Sequence, residues 1–223
     1  MRYILKLLTI LLVLTHITLF AEEFKKPPYD KRLDIDSRAM QWYNNANRDS
    51  ASAFNIGLLY QTKIKDTKWA EFWYKKALFI SNNAGAFYNL AYLYKNQNKN
   101  NQAKIFYQKA YDFGHKGAAN NLGLLFANQK LYKKAIYWYR QSIERESLDS
   151  MKNLSLLYHK KLNDNLKAVE YFLPLINHRY SKKKVMKFFK VKYKVDKKTI
   201  QKGYEAQLKS KIIPEKLKYK GGI

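Results

Sequence analysis

The chain has 223 residues, with 43 Lys plus Arg against 17 Asp plus Glu, a formal charge of +26, and 47% of its residues are apolar. That apolar share supports a packed interior in one domain, or at most two, and excludes disorder along the whole length. Zero cysteines exclude disulfides, thiolate metal sites, a Cys nucleophile and lipid attachment through an N-terminal Cys.

Only 8 Gly, 4 Pro and five Val occur beside 19 Tyr. Few turn formers and few β-branched residues predict helices joined by short connections. Of the basic residues 36 are Lys and seven Arg, and Asn, Tyr, Ile and Phe are also abundant. All have AT-rich codons, so genome composition can supply part of the charge. Arg, which suits bidentate phosphate or base contacts, is scarce.

Met1 to Ala21 starts with Arg2 and Lys6, runs apolar from Leu7 to Phe20 and ends at Ala21 before Glu22 and Glu23. The expectation is a signal peptide over 1–21, since the apolar run is short of the roughly 20 residues of a membrane span. The alternative is an uncleaved anchor that tethers the chain to the inner membrane. Either way the rest lies outside the cytoplasm, periplasmic or secreted, with no transmembrane helix in the mature chain. Loss of Arg2 and Lys6 still leaves +24. Nucleic acid is not the expected partner of an exported chain, whereas anionic lipid, lipopolysaccharide, cell-wall polymer or an acidic protein are suitable counter-charges. Residues 22–36, with Pro27 and Pro28, read as a linker.

Four blocks then align without gaps: Ala53 to Tyr60, Phe87 to Tyr94, Ala119 to Phe126 and Met151 to Tyr158, with starts 34, 32 and 32 residues apart. Asn55, Asn89, Asn121 and Asn153 coincide, as do the small residues Gly57, Ala91, Gly123 and Ser155. Half a period later come Ala70, Ala103, Ala135 and Ala168, each followed four residues on by Tyr74, Tyr107, Tyr139 or Phe172. A lone copy of this second block, Ala39 to Ala46, starts the array on a half-repeat. The small residue of the first helix lets the second approach closely, and the aromatics fill the space around that contact. A single hairpin cannot bury its apolar stripe, whereas stacked hairpins share a continuous core. Recurrence of the Asn in every unit favours a hydrogen bond between repeats over ligand recognition.

These blocks resemble tetratricopeptide repeats and, more closely, their Sel1-like branch. The L-G-x-x-Y then A-x-x-x-F signature stands as Ile56, Gly57, Tyr60, Ala70 and Tyr74, and again as Leu122, Gly123, Phe126, Ala135 and Tyr139. Lys109 to Gly123 looks like the Sel1 junction, one helix ending at Gly114 and the next starting near Ala118. The Gly-rich connection usual between the two Sel1 helices is missing, because residues 61–68 and 95–101 contain no Gly. The resemblance covers residues 37–180 and implies an all-α, right-handed α-solenoid of stacked helix-turn-helix repeats. It also implies a concave face lined by first helices, whose non-core positions are Phe54, Leu58 and Gln61, then Tyr88, Tyr92 and Lys95, then Asn120, Leu124 and Asn128, then Lys152, Leu156 and His159. This mixture suits an extended peptide with apolar anchors and some acidic residues. Leu58, Tyr92, Leu124 and Leu156 would equally complete the core between hairpins.

Pro174 falls inside the fourth second-helix and is expected to kink or stop it. Residues 181–223 read as Lys-rich capping helices and a tail, with 15 Lys and three acidic residues, about half of the mature charge. Met186, Phe189 and Tyr193 share one helical face, although Phe189 to Val195 also alternates like a strand. Asp196 is placed to cap a last helix bearing Ile200, Tyr204 and Leu208 on one stripe. Lys216, Lys218 and Lys220 are expected to be loosely attached. Lys182, Lys183, Lys184, Lys187, Lys190 and Lys194 are the candidate contacts to an anionic surface.

No catalytic constellation emerges. His115, His159 and His178 show no metal-ligand spacing, Glu144 and Glu146 point to different helix faces, and neither a phosphate-binding glycine loop nor a G-x-S-x-G elbow is present. No enzyme, metal or cofactor is expected. The function that remains is a surface that binds a protein or peptide.

Overall fold

The computed structural model of the chain describes residues 25–176 and 178–223, and the expected export signal lies outside them. Among the described residues there are eleven α-helices and no strand, only an isolated bridge between Ile176 and Tyr180. They fall into two compact units that part between Lys99 and Asn100. The first holds α1 (Ala39–Asn45), α2 (Ser50–Leu59), α3 (Thr67–Ile80) and α4 (Ala84–Asn96). The second holds α5 (Asn100–Asp112), α6 (Ala118–Asn128), α7 (Tyr132–Glu144), α8 (Leu148–Leu162), α9 (Asn165–Phe172), α10 (Lys182–Lys187) and α11 (Lys197–Lys209). No described helix is long and apolar enough to cross a membrane.

Helix starts follow from short polar side chains. Asp49 accepts from the amides of Ala51 and Ser52, Asp66 from Trp69, Asn83 from Ala86, Ser147 from Ser150, Asp164 from Lys167 and Asp196 from Thr199. Each such cap satisfies an orphan donor and contributes about 1 kcal/mol.

The repeat registers become packing. Ala70, Ala103, Ala135 and Ala168 are fully buried, and Tyr74, Tyr107, Tyr139 and Phe172 are buried beside them. A Cβ placed on Gly57 would lie 2.7 Å from the Tyr74 ring, and one on Gly123 would lie 2.6 Å from the Tyr139 ring. The glycine is thus the seat of the aromatic from the second helix, as the spacing suggests. In the last repeat Ser155 takes that place, and its Oγ donates to the Ala168 carbonyl at 2.6 Å.

Helix ends use a feature that sequence reading does not reveal. Asn98, Gly114, Lys130 and Glu146, spaced by sixteen residues, all adopt positive φ (60°, 89°, 59° and 68°). Each is followed by an amide that bonds back to the carbonyl five residues earlier: Lys99 to Tyr94, His115 to Ala110, Leu131 to Phe126 and Ser147 to Ser142. This is the Schellman closure, which Gly usually provides. Lys65 and Asn163, also left-handed, end the other first helices. The missing Gly-rich connection is therefore replaced by Lys and Asn in the left-handed region, at a steric cost that Asn bears more easily than Lys. Lys130→Gly is expected to stabilise the second unit by about 1 kcal/mol, because relief of left-handed strain outweighs the added freedom of the unfolded chain. Chemical denaturation checks this, with Asn98→Gly changing stability less.

Two sequence expectations need correction. The segment 22–36 is not a free linker over its described part. Lys31–Ile35 forms a 3-10 turn that buries Leu33 to 1% exposure, Tyr43 donates to the Pro27 carbonyl at 2.6 Å, and Tyr60 donates to Asp30 at 2.7 Å. The aromatics of α1 and of the turn that follows α2 supply the partners that hold it. Nor is the region of Lys216, Lys218 and Lys220 loosely attached. Ile213, Leu217 and Tyr219 are buried in the core of the second unit, and Gln207, itself at 0% exposure, holds the Tyr219 backbone.

Pro174 ends α9 as expected, the chain continuing as a 3-10 turn over Leu173–Leu175. After it, α10 passes into a π turn at Phe188–Lys192 rather than a strand, with Phe189 and Tyr193 buried. Asp196 caps α11, whose Ile200 is buried and whose Tyr204 packs against the core.

Candidate functional site

The twelve candidate face positions separate according to what the next helix presents to them. In the first unit the Phe54 ring lies 5.7 Å from that of Tyr74, and a Cβ on Gly85 would lie 2.9 Å from Phe54. Tyr74 donates to Gln61 and receives a hydrogen bond from Asn89 Nδ2 at 3.0 Å. Gln61 therefore ties the two helices of its own hairpin, Phe54 lies between that hairpin and the next, and Asn89 makes the bond between repeats that the Asn series predicts. Tyr88 is half-buried and takes part in further contacts. Leu58 and Tyr92 remain 37% and 40% exposed, and Lys95 Nζ lies 5.9 Å from the Tyr92 ring centre.

In the second unit Asn120 Oδ1 accepts from Ser150 Oγ at 2.9 Å and from Asn153 Nδ2 at 3.0 Å. Asn120 is thus the receiving end of an inter-repeat bond. Leu124 is half-buried against the core and Asn128 is exposed. His159 stacks on Tyr193 with ring centres 3.5 Å apart, and its Nδ1 lies 2.7 Å from Asn165 Oδ1. That side chain fastens the terminal helices to α8.

Lys152 and Leu156 have a different setting. They line a pocket of about 480 Å³ together with Lys160, Phe172, Tyr180, Lys184, Phe188, Lys192 and Tyr193. Phe172 stacks on Phe188 at 5.0 Å and on Tyr180 at 5.8 Å, while Phe188 meets Tyr193 at 4.3 Å. Burial pushes the Tyr193 phenol up to about 12, so it stays neutral. The pocket brings Lys152 and Leu156, which read as face residues, against Lys184, which reads as a surface-binding lysine. Phe172, Tyr180 and Phe188 as floor, with Lys160 and Lys192, escape sequence reading. The visible trace of them is Lys184, Phe188 and Lys192 at four-residue spacing on one helical face.

The other candidate lysines, Lys182, Lys183, Lys187, Lys190 and Lys194, are exposed and form no ion pair among the described residues. Among the described residues no group of three His, Asp or Glu is placed to hold a metal ion. His115 sits in the junction between α5 and α6, where burial holds its pKa below the usual 6.5 and its Nδ1 accepts from the Gly117 amide at 3.3 Å. The folded chain thus favours neutral imidazole, so stability from this group is complete above pH 6.5 and falls as acidification protonates the unfolded form first. The stability difference between the parent and His115→Asn is expected to shrink as the pH falls from about 7.5 towards about 5. Urea unfolding at several pH values measures it.

The tetratricopeptide repeat family model matches residues 84–113. Among solved structures, the crystal structure of MamA is similar at 19% identity with a TM-score of 0.50, over 60% of this chain and 80% of that one. No curated protein matches the sequence. The fold is all-α and of the tetratricopeptide solenoid class.

Proposed function

We propose that this tetratricopeptide-like repeat protein is an exported, non-enzymatic scaffold that binds a protein or peptide in the bacterial cell envelope. Tetratricopeptide-type repeats support a role in protein–protein interaction. The observation that carries the reading is that first-helix side chains stay accessible after the hairpins have packed, Leu58 and Tyr92 above all. Large apolar groups left in water at repeating positions serve recognition better than stability. Export rests on the Arg2, Lys6 and Leu7 to Ala21 pattern. Mass spectrometry of protein isolated from cells should find Glu22 as the first residue.

The test of binding is crosslinking in cells followed by capture. A reproducible envelope partner should appear and be lost from the Leu58→Ala/Tyr92→Ala variant with its melting temperature unchanged. Capture that survives this variant removes those residues from the site, and no partner at all ends the scaffold reading.

A second reading is favoured by one specific feature. The Ser181 to Val195 stretch contains no acidic residue, and Lys182, Lys183, Lys187, Lys190 and Lys194 are exposed. Such a face can attract anionic lipid, lipopolysaccharide or cell-wall polymer. Since this stretch also carries core residues, Lys-to-Gln changes are the proper test rather than truncation. Vesicle binding that fades with salt and with Lys182→Gln, Lys183→Gln and Lys187→Gln supports it, and salt-insensitive binding refutes it.

A further inference from the structure

The pocket between α8, α9 and α10 has an aromatic floor, and its charged lining residues are Lys152, Lys160, Lys184 and Lys192, with no carboxylate among them. Among the described residues none of these four lysines is in an ion pair, although Asp149, Glu146 and Glu215 elsewhere in the unit are all paired. Lys152 has the Asp149 carboxylate nearby, which Arg179 already pairs, and Lys192 lies over the Phe188 ring at 5.4 Å, so the rim around this apolar cavity keeps an excess of positive charge that favours an anionic ligand. A ligand that answers only the charge would leave the floor wet, and one that answers only the floor would leave the cations unpaired.

From this we infer that the pocket is a docking site for an acidic peptide segment, with a Phe- or Leu-sized side chain entering the cavity and flanking Asp or Glu carboxylates meeting the lysine rim. The inference deepens the scaffold reading and rests on it. A peptide is favoured over a lipid by continuity. Lys152 and Leu156 lie on the outward positions of α8, and the neighbouring Asn153 is tied to Asn120 of α6, so a chain lying along these helices runs into the pocket. The floor is also pre-ordered. Phe172 stacks with both Phe188 and Tyr180, and His159 stacks on Tyr193, so little freedom is lost when an anchor enters.

Lys point charges recognise carboxylates without demanding one fixed geometry, which fits acidic clusters of varied spacing. Binding energy comes from the buried anchor, while the rim sets preference and association rate.

The experiment is fluorescence titration of the full mature chain with labelled synthetic peptides in which a central Phe is flanked by Glu, compared with Gln-flanked Phe and Glu-flanked Ala. The Glu-flanked Phe peptide should bind at least about tenfold more tightly than either control, with affinity falling as salt rises. Lys160→Glu/Lys184→Glu changes two exposed positions, so the fold persists, as an unchanged melting temperature shows. This variant should lose at least about tenfold for the Glu-flanked Phe peptide and gain for a Lys-flanked Phe peptide. That exchange of preference is an effect that a merely structural role does not produce.

Equal binding of all three peptides, or no change in the double variant, overturns the inference. So does binding of phosphatidylglycerol vesicles that needs these lysines while the peptides bind nowhere. If cells still yield a partner that depends on Leu58 and Tyr92 while these peptides fail, the scaffold reading survives and the pocket assignment falls.

Discussion

Gly123→Val is expected to cost about 3 kcal/mol or more in the second unit, among the largest effects of any single substitution in the chain. A Cβ at this position would lie 2.6 Å from both Cδ1 and Cε1 of Tyr139, which is 2% exposed and has little room to retreat. The ring belongs to the core that includes Ala135, Ile143 and Leu154, so any shift carries into α7 and α8. Gly123→Ala should cost less, because it adds only the Cβ, although at 2.6 Å from the ring that one atom still forces Tyr139 to move. Amide hydrogen exchange over α6 and α7 reads the loss locally, and Trp138, the sole Trp between residues 100 and 223, gives a fluorescence signal for that unit. The double variant Gly123→Val/Tyr139→Leu should recover about 1 kcal/mol relative to the sum of the single changes. Strict additivity would refute the seat-and-ring account.

That pairing is legible in the sequence because it depends on two residue types at fixed registers. Gly57 with Tyr74 and Gly123 with Tyr139 recur at the repeat spacing, and a small residue opposite an aromatic in each unit points to close contact between the two helices. Helix closures are less legible for the opposite reason. Asn98, Lys130 and Glu146 adopt the left-handed conformation of Gly114 although none is Gly, since the hydrogen bond five residues back and the packing of the following helix impose it. Composition signals a preference, and here tertiary context overrides it.

The candidate face is legible by position and illegible by role. Phe54, Gln61, Asn120 and His159 sit at outward helical positions, yet each meets a partner from another helix: Tyr74, Tyr74 again, Asn153 and Tyr193. Periodicity within one helix cannot say what the next helix brings to it. The pocket shows the converse case. Lys152 and Leu156 read as surface, and what gives them a specific setting is Phe172 and Phe188, more than fifteen residues away along the chain. Long-range contacts of this kind come from the divergent terminal helices, where the repeat pattern no longer guides the reading.

Gln207→Leu is the second large effect, expected to weaken the anchorage of residues 213–219 by about 3 kcal/mol. Gln207 Nε2 donates to the Tyr219 carbonyl at 2.7 Å and its Oε1 accepts from the Tyr219 amide at 3.1 Å, so one buried side chain satisfies both polar groups of a buried residue. Leu matches the volume and removes both bonds, leaving a donor and an acceptor desolvated and unpaired. A loss of this size corresponds to roughly a hundredfold faster exchange of the Ile213 to Tyr219 amides, with early proteolysis near Lys216. The ion pairs of Glu215 with Lys218 and Lys220 are surface contacts, and although they hold the Glu215 carboxyl down to about 2, Glu215→Gln should leave the segment protected. The lysines alone make this tail look like a charged, loose end. Ile213, Leu217 and Tyr219, interleaved among them, are the residues that dock it, and Gln207 makes that docking possible for the backbone. If Gln207→Leu keeps full protection, apolar burial alone holds the segment, and Leu217→Ala should then release it.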